Sequence, residues 1–600
     1  MDDNNKNLLL ASGLSFLVIL VWFLLFPPEP PVEQPVDPAT AVEQGGTIIP
    51  PAGGATTVVE APVADSRETA LASSERVSIE TERLAGTISL TGGRIDDLSL
   101  LDYNVELNDP SEKVRLLSPA GGPNAYYALH GWVPSGGLTY DDVPGANTEW
   151  TQVGGNVLTP SSPVELEWTN ASGVTFKKEI AVDEDFLFSI TQTVENSSAA
   201  GMRLAPYGLV AQQGEPEQIG MWLLHEGVVR SSDDTIQEID YSDMPDQAFV
   251  ANEAGNVEAI DVEQNGWIGF TSKYWMTTLL PNAGQSFTSV SKYVPSNDTY
   301  QVEMRLPTVE IPAGETLSVT TSVFAGAKEY EAIRAYQQAG FNQFVDSIDW
   351  GWLFFLTKPI FWVLHELNIL IGNMGWAIIG LTFVIKALLF PLAYKSYVSM
   401  ARMKELQPEM EKLKEKHGDD RQAMQMDVMA LYKEKKVNPA AGCLPILLQI
   451  PIFFSLYKVI FVTLELRHAP FIGWLQDLSA PDPTSWMNLF GALPWAAPDP
   501  MSIIAIFSIG VWPIAFGVSM WLQQKLNPAP PDPTQQMIFA WLPWVFMFML
   551  GSFASGLIVY WVANNLITFA QQYLIMRSQG VKPDILGNIR AGFNKKKEES

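Results

Sequence analysis

Two polar side chains, Thr382 and Lys386, stand four residues apart in GLTFVIKALLFPL (Gly380–Leu392), a stretch that is otherwise apolar. That spacing puts both on one face of a helix. An ammonium group in low-dielectric surroundings attracts a carboxylate more strongly than it would in water, so the chemistry on offer is electrostatic. The competing reading is that the lysine stem snorkels to an interface near Leu392, about 9 Å further along a helix axis. Polar side chains break other apolar runs as well: Gln449, Tyr457, Ser508, Ser519, Tyr560, Asn564, Asn565 and Thr568. Such groups are costly in hydrocarbon without a partner or water, so they face inward and line either a wet cavity or a hydrogen-bonded seam between helices. No acid in these runs pairs obviously with Lys386, which disfavours a proton relay.

Other chemistry is sparse. His130 and His225 lack metal-ligand spacing and have no neighbouring serine or cysteine in a nucleophile motif, so no catalytic, metal or cofactor site is expected. There is no GxxxxGK[ST] phosphate loop. The only cysteine is Cys443, which precludes an intrachain disulfide. Residues 27–349 carry 47 acidic against 15 basic side chains. That balance argues against DNA or RNA as a partner of this part, because a polyanion needs clustered Lys and Arg.

The elements that must position these residues are membrane helices. Leu8–Phe26 is uncharged and long enough to span, and reads as an uncleaved N-terminal anchor within residues 1–26. Further spans are expected at Asn373–Leu392, Gly442–Val462, Ile503–Leu522, Met537–Leu550 and Gly556–Ile575, in a bundle covering 373–577. Trp350–Leu370 is apolar but carries Lys358, Pro359, His365 and Glu366, and residues 341–372 are expected to lie in the interface. Ten Lys and Arg fall between Tyr394 and Asn438, and Lys582, Arg590 and Lys595–Lys597 follow in the tail 578–600. Positive loops stay inside, so both termini are expected in the cytoplasm and the acidic domain outside, in the periplasm of a bacterial inner membrane.

Residues 27–74 are rich in Pro, Gly, Ala and Thr and read as a linker. From Glu75, alternating runs such as RVSIETE, VELEWTN and FLFSITQTVEN recur between turn residues, predicting an antiparallel β-sandwich over 75–340 that closes with a helix at Lys328–Gly340. Residues 394–438 predict a charged helical hairpin broken at His417–Asp420, with Asp419 or Asp420 as N-cap. Met400, Met403, Met410, Met424, Met426 and Met429 are dense there. Flexible thioethers suit varied apolar partners, and equally suit packing between the two helices.

NPAAGCLPILLQIPIFFSLYKV (Asn438–Val459), LRHAPFIGWLQDLSAPDP (Leu466–Pro483), SGLIVYWVANNLITFAQQYLI (Ser555–Ile575), LTFVIKALLFPL and the hairpin's ALYKEKKVNP resemble the YidC-type membrane protein insertase family. The resemblance covers roughly Trp350–Arg577, and the anchor plus β domain is similar to the family's Gram-negative form. It implies a polytopic α-helical membrane protein: an anchor, a five-helix bundle with a cytoplasmic hairpin, and a periplasmic supersandwich. It also implies a membrane chaperone, not an enzyme, that inserts and helps fold inner-membrane proteins, alone or with the Sec translocon and its accessory subunits. The site it implies is a hydrophilic groove holding Lys386, Thr382, Gln449, Tyr560, Trp561 and Asn564, with the hairpin methionines Met400, Met403, Met410, Met424 and Met429 meeting clients. Partners would be nascent membrane proteins, the lipid bilayer, and ribosome or targeting factors. Lysine stands at 386 where bacterial members more often have arginine, which keeps the charge but gives up the planar fork. Ser485–Pro500 is longer than the family's usual outer loop. A small-solute transporter or channel would use the same groove but calls for further intramembrane charges, and a tethered glycan enzyme would leave Lys386 and the hairpin unexplained.

Overall fold

The computed structural model describes residues 64, 66–107, 111–219, 224–417, 420–435, 437, 444–495, 498, 507–527 and 533–580. The expected anchor, the linker up to residue 63, Cys443 and the basic tail lie outside the described residues.

Alternation of apolar and polar side chains gives two sheets, of twelve and nine strands among the described residues. Leu187–Glu195 buries every second residue, and pairs with Thr316–Ala327 on one side and Thr175–Val182 on the other. In the larger sheet Met202–Gln213 runs between Tyr126–Ser135 and Thr299–Arg305. Inward side chains of both sheets, among them Trp132, Met304, Phe188, Leu279 and Phe324, form one core. The pairing is antiparallel except where Val157–Leu158 runs parallel to Arg76–Glu80. Order begins before Glu75: helix α1 (Arg67–Leu71), capped by Ser66, lies in the stretch read as linker, and Arg67 forms an ion pair with Asp97.

Ten more helices follow. Helix α2 (Tyr330–Gln338) closes the sandwich, with Gly340 just beyond it at a φ of 123°. Then come α3 (Phe354–Ile371), α4 (Met374–Leu388), α5 (Phe390–Glu405), the hairpin α6 (Gln407–His417) and α7 (Arg421–Glu434), α8 (Leu444–Val462), α9 (Val511–Gln524), α10 (Pro533–Met549) and α11 (Ser555–Ser578). The expected span Asn373–Leu392 is broken, with α4 and α5 meeting at 69°. Pro391 lies in the first turn of α5, where a missing N–H is harmless, whereas a continuous helix would lose a hydrogen bond there. Helix α9 starts later than expected because residues 507–510 serve the preceding loop instead: Trp486 N–H donates to the Ile509 carbonyl at 3.0 Å. Among the described residues, the one uninterrupted helix long and apolar enough to cross a membrane is α3, the segment expected in the interface.

The sandwich and bundle share a continuous core. Phe324 packs on Tyr336 and Phe344, and Trp350 and Tyr330 pack on Phe361 of α3 at 5.2 and 4.9 Å between ring centres. Polar ties accompany the aromatic ones. The Lys458 ammonium of α8 pairs with the buried Asp349 carboxylate, which also accepts the His225 backbone N–H at 2.9 Å. His365 of α3 sits between Glu465, at 2.6 Å from Nδ1, and Glu331 of α2, at 3.0 Å from Nε2. Truncating one partner of a buried pair strands the other charge, so Asp349→Ala is expected to cost about 3–5 kcal/mol. Amide hydrogen exchange should show faster exchange at the bundle end of the sandwich, with strands such as Leu187–Glu195 unaffected.

Candidate functional site

Helix α11 is the axis of the bundle, touching α4, α5, α8 and α9. Its polar residues recur at four-residue steps, Tyr560, Asn564, Thr568 and Gln572, so they form a slowly turning stripe. Tyr560 accepts from Gln449 Nε2 of α8 at 2.6 Å, and Gln572 Nε2 donates to Asn527 Oδ1 at 2.9 Å. Beside the stripe, Asn565 Nδ2 donates to Ser519 Oγ of α9 at 3.1 Å. Between the paired ends, Asn564 Oδ1 and Thr568 Oγ1 are buried with no hydrogen-bond partner among the described residues. Each such atom in a dry interior costs roughly 1–3 kcal/mol unless water or another donor reaches it.

Of the two residues on α4, Thr382 is buried and donates to the Ile378 carbonyl of its own helix at 2.8 Å. Lys386 is half-buried in the last turn of α4 and forms no ion pair or hydrogen bond with any described residue. The unpaired carbonyls that end α4 favour a cation at that position, but supply no counter-charge. Gln449 and Tyr560 are thus brought together, whereas neither is joined to Lys386. Trp561 packs its ring on Phe453 and Phe516 at 5.2 and 6.0 Å, and its buried Nε1 has no hydrogen-bond partner among the described residues.

The hairpin forms as expected, with Asp420 as the N-cap accepting from Ala423 N–H at 3.0 Å. Asp427 of α7 holds His417 of α6 at 2.7 Å. Met410 Sδ accepts from Tyr432 across the hairpin at 3.3 Å, so this methionine packs between the helices. Met400, Met403 and Met424 are half-buried, and Met426 and Met429 present exposed thioethers. In the β domain, burial pushes the His130 imidazole down to about 3, with the Lys178 ammonium adding to the effect. His225 is held by Asp240 and the Val228 carbonyl. Among the described residues no group of three or more His, Cys, Asp or Glu is placed to hold a metal ion.

Lys458 went unnoticed in the sequence. The signal was there for Lys458, a second cation inside an apolar run, only four residues from its end at Val462.

Fold and site together define a membrane protein in which a large two-sheet β domain precedes a helical bundle. The chain belongs to the YidC family of membrane protein insertases: residues 76–363 match the family described as YidC periplasmic domain, and residues 366–582 match the 60Kd inner membrane protein family. It is 64% identical over 605 residues to the membrane protein insertase YidC of Dinoroseobacter shibae, covering 100% of this chain and 99% of that one. The Jannaschia sp. insertase of the same name is 59% identical over 629 residues, with both chains fully covered. Among solved structures, an active YidC insertase with its first transmembrane domain resolved aligns over 94% of this chain and 99% of its own, at 16% identity and a TM-score of 0.36.

Replacing Tyr560 by Phe leaves the Gln449 amide without its partner. A double-mutant cycle of Tyr560→Phe with Gln449→Leu, read by unfolding in detergent, is expected to give a coupling of about 0.6 kcal/mol, the average for hydrogen bonds between membrane helices, and no more than about 1.7.

Proposed function

We propose that this insertase moves its clients through the polar stripe of α11, and that Lys386 attracts acidic residues in the short client segment being translocated. The observation that carries this reading is an ammonium with no counter-charge among the described residues, at the end of an apolar helix packed on α11. Water at Asn564 and Thr568 lowers the cost of bringing a polar segment to bilayer depth. The client's own helix, roughly 20 apolar residues, then leaves into lipid by hydrophobic transfer, with the membrane potential assisting where charge moves across.

On this reading α4 with the start of α5, and α8, α9, α10 and α11, are the five spans, and both termini are cytoplasmic. Helix α3 lies in the periplasmic interface rather than across the bilayer. Its ties support this: Lys358 pairs with Asp346 near one end, and His365 with Glu331 nearer the other, so its length is fastened to the β domain. The hairpin, with Met426 and Met429 outward, receives clients at the cytoplasmic face, beside the Sec translocon and the ribosome that the family resemblance implies.

The test is insertion of a two-span client with an acidic residue in its translocated loop, into vesicles carrying wild type or a position-386 variant. Lys386→Arg is expected to insert it normally, Lys386→Ala several-fold more slowly, and Lys386→Glu most slowly of all. A client lacking the acid should be indifferent to the series. Equal insertion of the acidic client by the Ala and Glu variants would reduce Lys386 to a snorkelling lysine.

A further inference from the structure

The loop joining α8 to α9 has no place in the groove, yet it is the most elaborately built connection in the bundle. Asp482 Oδ2 accepts from Trp512 N–H at 2.9 Å and Thr484 Oγ1 from Val511 N–H at 3.0 Å, so the loop's base caps the first turn of α9. Ser485 is tied to Ser508 through their hydroxyls at 2.7 Å. From this fixed base the chain turns through a 3₁₀ segment, Trp486–Gly491, in which Leu489 and Phe490 both adopt left-handed backbone angles, with φ of 49° and 57°. Two consecutive non-glycine residues in that region are strained, and strain of this kind persists where surrounding structure enforces it for a purpose.

What the loop displays is apolar. Trp486, Leu489, Phe490 and Trp495 are each 42–58% exposed. Between Ser485 and Trp495 there is no charged residue. Its polar groups are paired within the loop and its base. Trp486 Nε1 donates to the Phe507 carbonyl at 2.6 Å, and Trp495 Nε1 to the Met487 carbonyl at 3.1 Å. Asn488 accepts from Gly491 N–H at 2.9 Å, and Phe490 N–H donates to the Ser485 carbonyl at 2.7 Å. A loop facing water has no need to pair its indole N–H groups with its own carbonyls, whereas one facing hydrocarbon must. The apolar display also runs on into the bundle's outer surface, where exposed Phe507 packs at 6.5 Å on Phe548 of α10.

We propose that Ser485–Trp495 is a rigid aromatic wedge seated in the periplasmic leaflet of the bilayer, at the boundary between headgroups and acyl chains. The seat rests on the topology of the proposed function. With no charge in the wedge, its depth should not depend on anionic lipid.

The full chain with Cys443→Ser accepts a single new cysteine. Nitroxides at Leu489→Cys, Trp495→Cys and, as a solvent-facing control, Val153→Cys on the β domain are read in vesicles of phosphatidylethanolamine with or without phosphatidylglycerol. The ratio of collisions with oxygen to collisions with a water-soluble nickel chelate is expected to be several-fold higher at 489 and 495 than at 153, and equal in the two lipid mixtures. Nickel access at both wedge sites equal to that at Val153 would overturn the wedge, and so would labels shielded from both reagents, which would mean a protein cover. The topology is checked apart from this by an impermeant maleimide added to spheroplasts. Failure to label Val153→Cys there would sink the orientation, whereas a labelled Val153→Cys together with a water-exposed Leu489 would sink the wedge alone.

Discussion

A polar atom inside a membrane helix must find a partner, find water, or be absent, and this constraint organises the bundle around α11. Where the stripe is paired, each bond joins α11 to another part of the bundle: Tyr560 to Gln449 on α8, Asn565 to Ser519 on α9, Gln572 to Asn527 just beyond α9. Such bonds contribute on average about 0.6 kcal/mol each, too little to justify keeping so many polar groups for stability alone. Asn564 and Thr568 go further, since their lone atoms, unless water or another donor reaches them, make the interior less stable than apolar residues would. A stripe satisfied at its ends and open in its middle is what a site with an exchangeable polar occupant requires.

The stripe works only if the helices around it keep their places, and the β domain contributes to that. The buried Lys458–Asp349 pair, the His365 ring between Glu331 and Glu465, and the Phe324–Phe344 and Trp350–Phe361 contacts fasten α2, α3 and α8 to one another. Arg467, just past α8, adds a bond to the Val105 carbonyl at 3.2 Å and lies over the Trp275 ring. Most of these ties are charged and partly or wholly buried. They therefore specify one docking geometry more than they stabilise it, because desolvation offsets much of the attraction.

Periodicity made the β domain legible: the strict alternation in Leu187–Glu195 could only be a half-buried strand. The hairpin was legible too, because Asp420 and the charge pattern mark its ends locally. Span boundaries were less so. Apolar content extends through Leu389 and Pro391 without a gap, and only the loss of a proline N–H decides that the helix turns there. The start of α9 depends on Asp482 and Thr484, nearly thirty residues upstream, so no local reading could place it. Trp561 and Asn564 looked equivalent in the stretch VYWVANN, but three positions on a helix turn through 300°, which sends one toward Phe453 and Phe516 and leaves the other on the stripe.

The two lysines in apolar runs serve as controls for each other. Lys386 and Lys458 are the same residue type, each within a turn or so of its helix's C-terminal end, so the helix dipole and the snorkelling stem are open to both. Lys458 is the more deeply buried, and it has a carboxylate at hand in Asp349. Lys386 is half-buried on a helix packed against α11, and has none among the described residues. Burying an ammonium is expensive in both cases. Where the fold supplies the counter-charge itself, the lysine becomes a fastening. Where none is supplied among the described residues, the compensation comes from water or, on the function proposed above, from a client's carboxylate.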